Sequence, residues 1–208
     1  RLTDGALVTC FDGNGTRGAG TVHFTGKHAA TLQLDAPPVP TPDGQQQRIL
    51  AMGWSKPKAQ ELAVRSATEL GATAIWLLHT DRTTVSLSNT ESRLERLQRI
   101  TVMACEQSHR TWIPRLAGPI PFATLPDRCA DLTTLLLEPT ATARPPLATL
   151  PAGWTQGPWC VCVGPEGGWS PEELDTARNA GFSLVAIGEH ILRAETAATV
   201  ACTLPLLK

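Results

Sequence analysis

Gly164-Pro165-Glu166-Gly167-Gly168 stands between the apolar run Trp159-Cys160-Val161-Cys162-Val163 and the segment Ser170-Pro171-Glu172-Glu173. Three glycines and a proline in five residues demand a sharp turn that is poor in side chains, so its backbone N–H and C=O groups stay open to a ligand. The preceding run has the composition of a strand buried inside a parallel sheet. Beyond the turn, Ser170 suits a helix N-cap, Pro171 the first helical position and Glu173 the reciprocal partner of a capping box. Gly181 suits the residue just past the end of that helix. The segment therefore reads strand, loop, helix.

A matching element comes next, Leu184-Val185-Ala186-Ile187-Gly188 followed by Glu189 through Ala201, with a loop at Ile187-Gly188 to Leu192. Two loops thus leave the same edge of one sheet. Glu166 is the only ionisable side chain in the first loop, where it has two readings. One is a proton acceptor, and the other is a carboxylate that holds neighbouring backbone amides and shapes the turn. Arg193 and Glu195 in the second loop divide similarly between serving a site and pairing with each other.

The elements upstream must position these loops. Leu7 to Phe11, Gly20 to Phe24 and Ala30 to Leu34 are short β-type runs separated by turn residues and read as a small antiparallel barrel. Asp35 to Gly44 contains four prolines, which favours an extended connector and sets a boundary near Gln45. Residues 1–44 then form one domain and 45–208 another. In the second, strands at Arg48 to Met52, Ala74 to Leu78 and Leu132 to Leu137 alternate with helices at Pro57 to Leu70 and Glu91 to Ser108, the pattern of an α/β parallel sheet. The first helix is expected to bury Ala59, Leu62 or Ala63, Ala67 and Leu70, and the second Leu94, Leu97, Ile100 and Ala104. Residues 138–157 read as a surface loop.

The chain has 208 residues, 42% of them hydrophobic, without an apolar run of membrane-spanning length. No secretory leader follows Arg1. The six cysteines lack paired Cys-x-x-Cys units, which argues against a zinc site and for free thiols in a reducing cytoplasm. A net charge of −1 is not that of a strongly electrostatic nucleic-acid binder. Local charge matters more: Lys56, Lys58 and Arg65 form one basic group, and Arg93, Arg96, Arg99, Arg110 and Arg115 a second. Each is a candidate RNA surface or simply a solvated helix face.

The two loop motifs, Gly164-Pro165-Glu166-Gly167-Gly168 and Leu192-Arg193-Ala194-Glu195-Thr196-Ala197, resemble the RsmE-type 16S rRNA uridine-N3 methyltransferases of the SPOUT class. Ala67-Thr68-Glu69-Leu70-Gly71, Glu106-Gln107-Ser108-His109-Arg110 and Ile113-Pro114 keep the same family order. The resemblance implies a SPOUT-type α/β parallel sheet with a C-terminal trefoil knot, preceded by a PUA-like β-barrel that is incomplete here. It implies S-adenosylmethionine as methyl donor, held by Leu137, Gly164, Gly167, Gly168, Ile187, Gly188, Ile191 and Leu192 and closed by Thr196 and Ala197. Arg110 and Glu166 are its expected catalytic residues. Lys56, Lys58, Arg65, Arg110 and Arg193 are its expected RNA contacts. The implied partners are 16S rRNA or the 30S subunit and a second copy in a homodimer, with no membrane and no metal, and the implied location is cytoplasmic. Three positions depart from the family pattern: Arg65-Ser66 where Gln-Lys is frequent, His109 where glycine is common, and Ala194 where a threonine would offer a helix cap.

A competing signal lies at Gly13-Asn14-Gly15-Thr16-Arg17-Gly18, which matches a dinucleotide fingerprint. The adjoining Thr21-Val22-His23-Phe24 alternates like a strand, so no helix N-terminus faces a pyrophosphate. No glycine loop ends in Gly-Lys-Ser/Thr and no Gly-x-Ser-x-Gly elbow is present. The remaining alternatives are a SPOUT ribose 2′-O-methyltransferase acting on rRNA or tRNA and a non-catalytic RNA-binding ribosome-assembly protein.

Overall fold

The computed structural model describes residues 2–139, 154 and 156–206. Two sheets organise them. The first is antiparallel: β1 (Leu7–Phe11), β2 (Thr16–Gly26) and β3 (Ala29–Leu34) pair in sequence order, and the short β4 (Val39–Pro40) pairs with β2. Gly13-Asn14-Gly15 forms the turn from β1 to β2 and opens no helix.

The second sheet is parallel, in the order β10-β8-β9-β5-β6-β7. Its members are β5 (Arg48–Gly53), β6 (Ala74–His79), β7 (Arg115–Pro121), β8 (Thr133–Leu137), β9 (Trp159–Val163) and β10 (Ser183–Val185). Strand β9 is buried at all five positions because it lies in the middle of the sheet with helices over both faces. Alternate residues feed two cores. Leu50, Met52, Val161, Val163, Leu135 and Leu137 point to one side, and Ile49, Ala51, Cys160, Cys162 and Leu136 to the other. Full burial of each Leu, Ile, Val or Met among these stabilises by about 1.5–3 kcal/mol.

Helices α1 (Pro57–Glu69), α2 (Thr90–Ser108) and α5 (Ala194–Thr203) cover the first side, with α1 packed against both others. The short α3 (Leu125–Arg128) and α4 (Pro171–Asn179) cover the second. Helix α1 turns its inner face slightly from the expected stripe. It buries Gln60, Ala63, Val64, Ala67 and Thr68, while Leu62 is 47% exposed. In α2, Leu97 and Ala104 are buried and Leu94 and Ile100 partly so. Most of the expected surface loop at 138–157 lies outside the described residues. Among the described residues no helix is long and apolar enough to cross a membrane.

Candidate functional site

At the C-terminal ends of β8, β9 and β10 the sheet opens into a cavity of about 890 Å³. Its floor is built by the glycine turn. Gly168 (φ 69°) donates its N–H to the Pro165 carbonyl at 2.9 Å, closing residues 165–168 into a tight turn. Gly53, at the end of β5, lets that turn approach: a Cβ there would lie 2.5 Å from the Pro165 nitrogen. The buried Trp169 indole donates to the Leu137 carbonyl at 2.9 Å, tying the turn to the end of β8. The same ring occupies the space beside Gly164, where a Cβ would meet it at 3.2 Å.

The helix after the turn starts as its capping signals require. Ser170 Oγ accepts the Glu173 N–H at 3.1 Å, and Glu173 Oε2 accepts the Ser170 N–H at 2.9 Å. Gly181 lies just past its end with φ 79°. The second loop includes the expected Ile187 to Leu192. Strand β10 stops at Val185, residues 186–193 run irregularly past Gly188 (φ 130°), and helix begins only at Ala194. The N-cap is therefore Arg193, without a side-chain cap bond, and Ala194 is the first helical residue. A threonine at 194 would not occupy the cap.

Leu137, Val163, Ala186, Ile187, Ile191, Leu192 and Ala197 give the cavity an apolar lining, with glycine backbone at 164, 168 and 188. Ile191 is 82% exposed, an apolar side chain at the cavity wall with little protein against it. Four basic residues (Lys56, Arg82, Arg178, Arg193) and four acidic ones (Glu138, Glu166, Asp175, Glu195) border the space. Arg178 and Asp175 pair at 2.7 Å. Among the described residues, no cluster of three or more His, Cys, Asp or Glu is arranged to hold a metal ion, and all six cysteines are free.

Residues 42–205 match the family described as RNA methyltransferase domain. The chain belongs to this family. The ribosomal RNA small subunit methyltransferase E of Synechocystis is 40% identical over 154 residues, covering 73% of this chain and 50% of that protein. The enzyme of the same name from Mesomycoplasma hyopneumoniae is 30% identical, covering 72% of this chain and 65% of that one. The chain thus spans half to about two thirds of the length of these relatives. Among solved structures, ribosomal RNA small subunit methyltransferase E from Neisseria gonorrhoeae bound to S-adenosyl methionine superposes with a TM-score of 0.87. That pair is 28% identical and covers 97% of this chain and 83% of the other.

Within this RNA methyltransferase domain, the structure brings Leu137, Gly164, Gly168, Ile187, Gly188, Ile191, Leu192 and Ala197 to the cavity, with Glu166, Lys56 and Arg193 at its border. Gly167 and Thr196 do not line it. Gly167 turns its carbonyl to Arg82 Nη1 at 3.1 Å, and Thr196 is exposed on α5. Lys58 and Arg65 are exposed on α1 away from the lining. Glu166 accepts the Lys56 N–H at 3.4 Å, so the carboxylate reaches the start of α1 while remaining exposed.

The expectation for Arg110 is corrected by its position. The residue precedes β7, and the carbonyls it binds at Thr68 and Ala72 precede β6, so it sits at the N-terminal edge of the sheet. The cavity is at the opposite edge, about 20 Å away along a six-residue strand. Its side chain is 8% exposed and fully engaged. Nη1 donates to Thr68 O at 2.7 Å and Ala72 O at 2.8 Å, and Nη2 meets Asp43 Oδ1 at 2.7 Å. Asp43 also accepts the Thr111 and Trp112 N–H groups at 2.9 and 3.0 Å. Burial alone would raise the Asp43 carboxyl, but the Arg110 hydrogen bond, the two backbone donors and the Arg110 charge hold it below the usual carboxylate range. Arg110 is thus a strut between the linker, α1 and the start of β7.

The second basic group is largely used by the protein. Arg93 stacks on Trp54 at 4.5 Å and donates to the Ser55 carbonyl. Arg96 pairs with Glu61 at 2.6 Å, and Arg115 lies 5.9 Å over Trp112. Three residues of the site, Gly53, Arg82 and Trp169, are not expected from the sequence. Only Trp169 carries a signal there, its place beside the glycine turn.

Proposed function

We propose that this chain is an S-adenosylmethionine-dependent methyltransferase that modifies N3 of a uridine in 16S rRNA of the small ribosomal subunit. The observation that carries the reading is the cavity between two side-chain-poor loops at one sheet edge, in a chain whose fold follows that of a donor-bound ribosomal RNA methyltransferase over 97% of its length. The cavity suits that donor. Its volume lies within the roughly 300–1,000 Å³ of small-molecule sites. Its lining is apolar with open glycine backbone, and the balanced charges at its border suit a zwitterionic tail.

When bound, the donor supplies an electrophilic methyl group on a sulfonium. Leu137, Ile187, Ile191 and Leu192 exclude water from the cavity and bury its apolar parts, while the turn at 164–168 presents backbone groups. Glu166 is the side chain placed to accept the uracil N3 proton, directly or through a water. Arg193 and Lys56 at the border face the approach of an RNA phosphate. Arg110 contributes by fixing the linker rather than by touching the reacting atoms.

The antiparallel sheet is part of a PUA-like RNA-binding barrel in this reading, with the domain boundary near Gln45. Its cross-strand pairs Val8 with Gly20, Val22 with Leu32 and Phe24 with Ala30 share one apolar face. Phe24 and Leu32 on that face remain 49% and 38% exposed, which suits further strands laid against it. The C-terminal segment makes a trefoil knot. In support, α5 packs on α1, β9 and β5 rather than beside β10, the strand that precedes it. The enzyme acts in the cytoplasm as a homodimer.

The test is methyl transfer from labelled donor to naked 16S rRNA and to purified 30S particles, followed by mass analysis of the nucleosides. Label on the uracil base supports the proposal. Label on ribose, or donor binding without transfer, overturns it.

A further inference from the structure

The segment Thr80 to Thr83, which leaves β6 and leads toward α2, lies across the glycine turn although nothing in the family motifs includes it. Gly167 lacks a side chain where one would crowd this segment: a Cβ would sit 3.0 Å from Arg82 Cβ and 3.2 Å from the Arg82 carbonyl oxygen. Arg82 lines the cavity and donates from Nη1 to the Gly167 carbonyl at 3.1 Å. The Gly167–Gly168 peptide is therefore held from both sides, its carbonyl by Arg82 and its N–H by the Pro165 carbonyl at 2.9 Å.

The segment itself is fixed by a closed set of hydrogen bonds. Asp81 donates its N–H to Glu173 Oε1 at 3.0 Å and accepts the Ser170 hydroxyl at 2.6 Å. Ser170 and Glu173 in turn make the reciprocal cap of α4. Thr83 returns its N–H to the Thr80 carbonyl at 3.1 Å, and the Thr80 N–H goes to Thr83 Oγ1 at 3.0 Å. Ser170 and Glu173 are 6% and 5% exposed, so these bonds are shielded on the α4 side, whereas Asp81 and Arg82 are exposed. A glycine turn left to itself samples many backbone conformations. Restricting one of its peptide planes before a ligand arrives removes part of the ordering cost of binding.

We infer that residues 80–83 form a clasp that preorganises the glycine turn, and that Arg82 is its positioning residue for the methyl donor. The clasp presupposes the donor site proposed for this cavity. The probe is S-adenosylhomocysteine, titrated calorimetrically into the whole chain. Arg82→Met removes the hydrogen bond to Gly167 and weakens binding about tenfold, the loss of one charge-assisted bond. The melting temperature stays within about 2 °C of the parent, since the side chain is exposed. Arg82→Lys retains a donor and binds within about threefold of the parent. Asp81→Ala removes the acceptor of the Ser170 hydroxyl, leaves the backbone bond to Glu173 and the cavity lining in place, and weakens binding about threefold. The amide signals of Gly167 and Gly168 in 15N–1H spectra shift in Arg82→Met and return toward their original positions in Arg82→Lys. In methylation assays Arg82→Met raises the donor KM and leaves the RNA KM unchanged. Unaltered affinity in Arg82→Met, or a rise confined to the RNA KM, overturns the clasp while leaving the donor site standing. A parent chain that does not bind the probe overturns both.

Discussion

Replacing Arg110 with alanine separates a strut from a catalytic group. The substitution leaves the carbonyls of Thr68 and Ala72 without their shared donor and removes the cation from Asp43. Breaking one side of a buried ion pair typically costs about 3–5 kcal/mol. Asp43 keeps 25% of its side chain exposed and retains two backbone donors, which places the expected loss near the lower end, about 3 kcal/mol. For a chain of this size that corresponds to a fall in melting temperature of roughly 6–12 °C. The pH dependence carries the same signature. Because the folded Asp43 carboxyl is held below its ordinary value, its stabilisation is present above the unfolded carboxylate pKa of about 3.9 and is lost as pH falls through the lowered folded value. Urea unfolding from pH 7 down to pH 3 should show this acid limb in the parent and a shallower one in Arg110→Ala. Donor affinity, measured by calorimetry on the folded variant, should be unchanged. Stability within about 0.5 kcal/mol of the parent together with lost methyl transfer would refute the strut.

Three other outcomes rest on the same geometry. Gly53→Ala places a methyl group 2.5 Å from the Pro165 nitrogen, so the glycine turn must shift; we predict a stability loss of about 1–3 kcal/mol with weaker S-adenosylhomocysteine binding, and wild-type values in both melting and calorimetry would contradict it. His109 caps α2 with φ 57°, a left-handed backbone that favours glycine. His109→Gly should therefore stabilise the chain by roughly 0.5–1 kcal/mol in urea unfolding, and a loss of stability would show that the imidazole has a role of its own. Burial pushes the Cys202 thiol up to about 12 and the Cys105 thiol up to about 11. Neither should be alkylated by iodoacetamide at pH 8 until denaturant is added, and rapid native labelling detected by mass spectrometry would count against their burial.

The strand, turn and helix from Trp159 to Gly181 are legible in the sequence because every signal in them is local: apolar residues for the buried strand, glycines for the turn, and a capping box for the helix. Strand β7 is not legible. Arg115-Leu116-Ala117-Gly118-Pro119-Ile120-Pro121 carries two prolines and a glycine, which spoil the strand pattern and are tolerated because β7 is an edge. The second loop is legible as Ile187 to Leu192 and extends by a residue at each end in the fold, since helix starts at Ala194. His109 is the converse case. Its departure from a common glycine is visible in the chain, but the reason, a left-handed helix end, exists only in the fold.

By itself, the order of residues determined the alternation of strands and helices and the place of the glycine turn, since these depend on neighbours a few positions apart. Tertiary structure decided which charged groups belong to the site. Asp43 and Arg110 are 67 positions apart and Arg82 and Gly167 are 85 apart. Both arginines look alike as letters, and their partners are set by which sheet edge the chain brings each one to. A side chain's chemistry is chosen by the groups packed around it, and those are fixed only when distant segments meet.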